Sequence, residues 1–145
     1  MIIRRAALVM DTYGQGPENR ENVMKILLAE DDRNFGIVLS AELEQAGNSV
    51  DIAYDGVEAV LNFIDKPDYD FIILDIKMPR LDGINALRII KKLNHAVPAI
   101  TVSGNAGTGE MIESVRAGAI RCLTKPFEIA TLKDEMQKFA TPYNR

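Results

Sequence analysis

The chain has a single cysteine, Cys122, and a single histidine, His95, in 145 residues. One cysteine cannot form an internal disulfide, and a reducing cytosol is its natural setting. Long hydrophobic runs are also missing. No stretch approaches the ~20 apolar residues needed to cross a bilayer. Ala6-Ala7-Leu8-Val9-Met10 is shorter than the ~7–15-residue apolar core of a signal peptide. There is no Lys/Arg-rich run, and the formal charge of −4 argues against nonspecific nucleic-acid binding. Neither DNA nor membrane is an expected partner, and the expected location is the cytoplasm. Repeats and low-complexity segments are absent too.

What remains is ordinary in bulk. A 47% apolar, 26% charged composition is that of a globular protein, and the length suits one domain with one core. Residues 11–23 are polar, contain Gly14, Gly16 and Pro17, and follow neither a helical nor a strand period. Residues 1–23 are therefore expected to be a flexible arm, and 24–145 the domain.

From Met24 strand and helix patterns alternate. Apolar strands are expected at 25–29, 49–53, 71–74, 99–102 and 121–123. Between them, Phe35, Val38, Leu39, Leu43 and Ala46 follow helical spacing up to Gly47, which suits a helix end. Val57, Val60, Leu61 and Ile64 form a second stripe, and Asp82-Gly83 opens a third helix through Leu87, Ile90 and Leu93. A short helix from Met111 to Ala117 closes at Gly118, and Ile129, Leu132, Met136 and Phe139 line the last. Five βα units predict an α/β fold: a doubly wound parallel sheet with helices on both faces and right-handed crossovers. The second strand carries Asp51 internally and is expected at an edge.

The strand ends carry the chemistry. Glu30 and Asp31 follow the first strand, Asp75 the third, Ser103 the fourth and Lys125 the fifth. In a doubly wound sheet those ends lie side by side, where such folds bind ligands. Carboxylates a few ångströms apart repel by about 4 kcal/mol per pair at an effective dielectric near 20. A cation relieves this, and an all-oxygen donor set without histidine or cysteine suits Mg²⁺ rather than zinc. Asp75 can then act as a nucleophile toward a phosphoryl group, with the Lys125 ammonium and the Ser103 hydroxyl on the phosphoryl oxygens. Asp32 and Asp82 are expected to cap helices. His95 is expected on the surface, and Cys122 as a small buried hydrophobe.

Four segments in order, Ile26 to Asp32, Ile73 to Gly83, Thr101-Val102-Ser103-Gly104 and Gly118-Ala119 through Leu123-Thr124-Lys125-Pro126-Phe127, resemble the receiver domain of two-component response regulators. The resemblance runs from about Met24 to Phe139. It implies a five-stranded sheet in the flavodoxin-like order 2-1-3-4-5, of which receivers are a known instance. It further implies that Asp75 accepts phosphate from the phosphohistidine of a histidine kinase or histidine phosphotransferase. Glu30, Asp31, Asp75 and the backbone carbonyl of Lys77 would hold Mg²⁺, Ser103 and Lys125 would bind the phosphoryl group, and the Lys125–Pro126 bond would be cis. Such a protein turns over no other substrate, catalysing only its own phosphoryl transfer and dephosphorylation.

Two residues depart from that pattern. Many receivers carry an aromatic ring where this chain has Cys122, so signalling is expected to depend on the Ser103 loop more than on a ring rotating in the fifth strand. Gly104 replaces the commoner alanine and should loosen that loop. The sequence ends a few residues past the last helix, so a stand-alone receiver that signals by binding a downstream target protein is expected. The alternative is a phosphorylation-independent pseudo-receiver adaptor. A phosphatase of the haloacid-dehalogenase type is disfavoured, since Lys77 stands where such enzymes place a second aspartate.

Overall fold

The computed structural model describes residues 23–105 and 107–139. Five βα units follow in order: β1 (Lys25–Ala29), α1 (Arg33–Gln45), β2 (Ser49–Ala53), α2 (Gly56–Asp65), β3 (Phe71–Asp75), α3 (Gly83–Leu93), β4 (Ala99–Ser103), α4 (Thr108–Ala117), β5 (Arg121–Thr124) and α5 (Ile129–Gln137). All strand pairs are parallel, and the sheet order is β2-β1-β3-β4-β5. The doubly wound arrangement and its strand order are those expected. β2 is an edge strand, and Asp51 within it is half-buried and accepts a hydrogen bond from the Tyr69 hydroxyl at 2.6 Å.

Alternation along the strands divides the core in two. Leu27, Ala29, Ile72 and Leu74 face α2, α3 and α4, packing with Ala59, Phe63, Leu87, Ile90 and Ala117. Ile26, Leu28, Phe71, Ile73 and Ile100 face α1 and α5, packing with Leu39, Leu43, Leu132 and Met136. Covered on both sides, these strands have no solvent face to keep polar, which is why they read as unbroken apolar runs. Asp32, Asp55 and Asp82 cap α1, α2 and α3 by accepting backbone N–H bonds from Phe35, Glu58 and Asn85. Gly47 and Gly118 take left-handed conformations, at φ 99° and 116°, past the ends of α1 and α4. His95 is exposed, as expected.

The helix faces differ in detail from the sequence pattern. Leu61 and Ile64 lie on the surface of α2, each 53% exposed, while Gly56, Ala59 and Phe63 are buried. Small residues let α2 approach the sheet closely, and an apolar stripe count cannot see them. Val38 and Ala46 on α1 and Leu93 at the end of α3 are also exposed. α4 begins at Thr108, ahead of Met111, behind Gly107, which has no side chain to announce a cap. β3, β4 and β5 each run one residue further than expected, to Asp75, Ser103 and Thr124, because these residues are themselves rungs of the ladder. The expected arm, 1–23, lies outside the described residues except for Val23.

Gly83 shows how tightly the site is backed. A Cβ there would stand 2.0 Å from the Asp75 carbonyl oxygen, whereas a Cβ at Gly104 would have no heavy atom within 4 Å. Gly83→Ala is expected to lose on the order of 3 kcal/mol in urea unfolding, the upper range of overpacking, and Gly104→Ala less than about 1 kcal/mol. Equal effects would mean that the loop behind Asp75 yields freely.

Candidate functional site

Glu30 directly follows β1, Asp31 opens the β1–α1 loop, Asp75 and Ser103 are the last residues of β3 and β4, and Lys125 directly follows β5. The sheet order places β1 beside β3, β3 beside β4 and β4 beside β5, so the five residues meet at one edge. Backbone bonds lock this register: Ile76 N–H donates to the Val102 carbonyl at 2.8 Å, and Lys125 N–H to the Ser103 carbonyl at 2.7 Å. The Lys125–Pro126 peptide is cis, as the resemblance implied.

Lys125 Nζ lies 2.9 Å from Glu30 Oε1 and 3.4 Å from Asp75 Oδ2. The Phe35 ring sits 4.5 Å below the same ammonium, and Phe127 packs edge-on against Phe35. Glu30 Oε2 accepts the Asp32 N–H at 3.0 Å, so both of its oxygens are oriented. Glu30, Asp75 and Ser103 are buried, at 2%, 7% and 1% exposure, whereas Asp31 is open to solvent. Lys77 is exposed two residues beyond Asp75. The Ser103 hydroxyl donates to Glu110 Oε1 at 3.4 Å and accepts the Asn105 N–H at 3.2 Å.

Burial, then the hydrogen bond and charge of Glu30, push the Asp75 carboxyl up to about 7 against the opposing pull of Lys125. Burial also works against the Lys125 ammonium, but Glu30 and Asp75 outweigh it and its pKa rises above the ordinary lysine value. One ammonium therefore compensates two carboxylates incompletely. Glu30, Asp31 and Asp75 can place one oxygen each within 4.8 Å of one another. A buried, undercompensated, all-oxygen triad with one solvent-facing member fits a hard divalent cation such as Mg²⁺, which keeps several of its waters.

The structure thus brings together Glu30, Asp31, Asp75, Ser103 and Lys125. Two contributors were not legible as site residues. Phe35 looked like one more apolar position on a helix, and Glu110 lies among scattered glycines with no pattern around it. Asp32, set aside as a cap, is one.

The response regulator receiver domain family matches residues 26–137. The chain is 35% identical over 114 residues to the response regulator MprA of Mycobacterium avium, covering 79% of this chain and 50% of MprA. It is 32% identical over 113 residues to the transcriptional regulatory protein ZraR of Salmonella typhimurium, covering 78% of this chain and 25% of ZraR. The chain thus spans a quarter to a half of the length of these relatives. Among solved structures it resembles the receiver domain of the sensor histidine kinase PA1611 from Pseudomonas aeruginosa, with a TM-score of 0.74 and 33% identity over 81% of this chain and 98% of that one. That structure has a magnesium ion coordinated in its active-site cleft. The chain belongs to the response-regulator receiver domain family of two-component systems. Among the described residues, no helix is long and apolar enough to cross a membrane.

The raised Asp75 pKa gives a signed expectation. A carboxyl that titrates near 7 when folded and near 3.9 when unfolded stabilises the fold at low pH, and loses that contribution as pH rises through about 7. Without metal, the melting temperature should fall between pH 5 and pH 8. Mg²⁺ at 100 times its dissociation constant should restore about 2.7 kcal/mol at pH 8. Asp75→Asn should flatten the metal-free pH dependence, and Asp31→Ala should abolish the response to Mg²⁺. Melts that are flat in both pH and millimolar Mg²⁺ would refute the undercompensated cluster.

Proposed function

We propose that this receiver is a phospho-acceptor switch. Asp75 takes the phosphoryl group from the phosphohistidine of a histidine kinase or histidine phosphotransferase, and the phosphorylated domain binds a downstream target protein. The observation that carries the reading is the Lys125 ammonium, 2.9 Å from Glu30 and 3.4 Å from Asp75, on the strand end next to the one that carries Ser103. In this reading an ionised Asp75 oxygen attacks phosphorus, the P–N bond to the imidazole breaks, and its electron pair leaves with the nitrogen. Lys125 and Ser103 meet the transferred oxygens as a charge and a hydrogen-bond donor. Glu30, Asp31, Asp75 and the backbone carbonyl of Lys77 would hold Mg²⁺, which when bound neutralises phosphoryl charge. Because Asp75 must be ionised to attack, removal of its proton, favoured by metal and by Lys125, is part of activation.

The residue set supports this reading over a zinc site or a phosphatase. Among the described residues no histidine or cysteine approaches the cluster to make a zinc site or a nucleophilic pair, and Lys77 cannot serve as a second carboxylate for phosphatase-type turnover. Acetyl phosphate with Mg²⁺ should add one phosphoryl group to the intact mass of the parent chain, and none to Asp75→Asn. Lys125→Ala should slow labelling by about 10²-fold, the usual cost of one charged stabilising donor. Labelling of Asp75→Asn at the parental rate would refute the assignment. A folded parent that never labels would instead select the phosphorylation-independent adaptor.

A further inference from the structure

Ser103 is already engaged. Its hydroxyl oxygen lies 3.4 Å from Glu110 Oε1, a long contact in which only the hydroxyl can donate, and it accepts the Asn105 N–H at 3.2 Å. A hydroxyl has one proton to give. It cannot donate both to Glu110 and to a phosphoryl oxygen at the neighbouring strand end.

Glu110 sits in the first turn of α4 and is the acidic residue of that turn. Among the described residues, the glycines around it make few side-chain contacts. Gly107, at the N-cap, makes no side-chain cap bond, and Cβ atoms built at Gly104, Gly107 and Gly109 would meet no heavy atom within 4 Å. Further along, α4 is fixed. Thr101 Oγ1 donates to Ser114 Oγ at 2.9 Å in a buried contact, and Arg88 on α3 pairs with Glu113. The helix is thus anchored by its middle and tied at its first turn to Ser103.

We propose that Glu110 is a positioning residue for phosphoryl capture: its carboxylate holds the Ser103 hydroxyl away from Asp75 until a phosphoryl group competes for the same proton. Resting on the phospho-acceptor reading, this adds to it the residue that sets the resting state. A dianionic group at Asp75 attracts the Ser103 hydroxyl and repels the Glu110 carboxylate, so capture and release are one event. The first turn of α4, with the exposed Met111 and Ile112 beside Glu110, is then free to move about the Ser114 anchor. Such a device needs no aromatic ring at Cys122.

The test is a double-mutant cycle with beryllofluoride, a stand-in for the phosphoryl group, titrated in Mg²⁺ into the full chain and followed by backbone amide spectra. Glu110→Ala should bind beryllofluoride about 2- to 10-fold more tightly than the parent, the effect of one competing hydrogen bond. Glu110→Gln keeps an acceptor and should fall back toward the parent. In a Ser103→Ala background, Glu110→Ala should lose most of its effect, because the proton in dispute is gone and only a salt-screened charge repulsion is left. Without any ligand, Glu110→Ala and Ser103→Ala should both shift the Asn105 amide resonance. Affinity unchanged or weakened in Glu110→Ala, an equal gain in the Ser103→Ala background, or a Gln variant tighter than Ala would each overturn the role of Glu110 alone. A folded parent that takes up no beryllofluoride with Mg²⁺ present would overturn the phospho-acceptor reading, and the Glu110 role with it.

Discussion

The contact between Lys125 and the two buried carboxylates, Glu30 and Asp75, is the constraint around which this domain is arranged. It joins residues 95 and 50 positions apart, so it exists only if β1, β3 and β5 are in register in one sheet. It is also deliberately unequal. One ammonium beside two carboxylates leaves Asp75 with a proton affinity close to neutrality, and the third carboxylate, Asp31, adds to the excess. Replacing the trio with apolar residues would suit the fold as well or better, since buried ion pairs rarely repay their desolvation. Their retention here makes sense as chemistry: the deficit of positive charge is what a cation and a phosphoryl group can exploit.

The fold was largely legible because its cause is periodic. Both sheet faces are covered, so β1, β3 and β4 are continuous apolar runs, and Asp, Gly and Pro punctuate the spaces between them. The meeting of Glu30, Asp31, Asp75, Ser103 and Lys125 at one sheet edge was legible for a related reason: a charged or hydroxyl residue just after such a run stands at the end of its strand. What escaped was whatever depends on close approach or on side chains far apart in sequence. α2 turns Ala59 and Phe63 to the core, sets Gly56 against the Leu81 backbone and leaves Leu61 and Ile64 outside, a choice made by packing distance as well as hydrophobicity. Phe35 under Lys125 and Glu110 beside Ser103 are tertiary juxtapositions of a core-like and a surface-like residue, and neither carries a local signature.

Rigidity is distributed unevenly across the site. Asp75 and Ser103 are ladder residues, and Gly83 presses against the Asp75 carbonyl with no room for a methyl group. The reacting carboxylate is therefore held by backbone, as positioning-dominated phosphoryl transfer requires. Gly104, Gly107 and Gly109 have the opposite character, each with open space where a Cβ would stand, and α4 starts without a side-chain cap bond. The Ser103 hydroxyl stands at the boundary between the tightly backed carboxylate and the open-spaced glycines.

Magnitudes limit what such a boundary can achieve. Moving a two-state equilibrium from 1:99 to 99:1 takes about 5.5 kcal/mol of differential affinity. Lys125 contributes little of that, because it already has two carboxylate partners before phosphorylation and only exchanges one for another. The new term is a Ser103 hydrogen bond to a charged group, worth about 1.5–3 kcal/mol, less the Glu110 bond it gives up. With the half-buried Cys122 on β5 where a ring could stand, packed against the core that includes Ala117 and Ala119, no large ring there adds burial to one state over the other. One charged hydrogen bond converts to a population shift of roughly 10- to 150-fold at 0.59 kcal/mol per RT. In the proposed switch, phosphorylation alone would therefore bias this domain rather than throw it fully from one state to the other, and the remaining selectivity would have to come from the surface that recognises the first turn of α4.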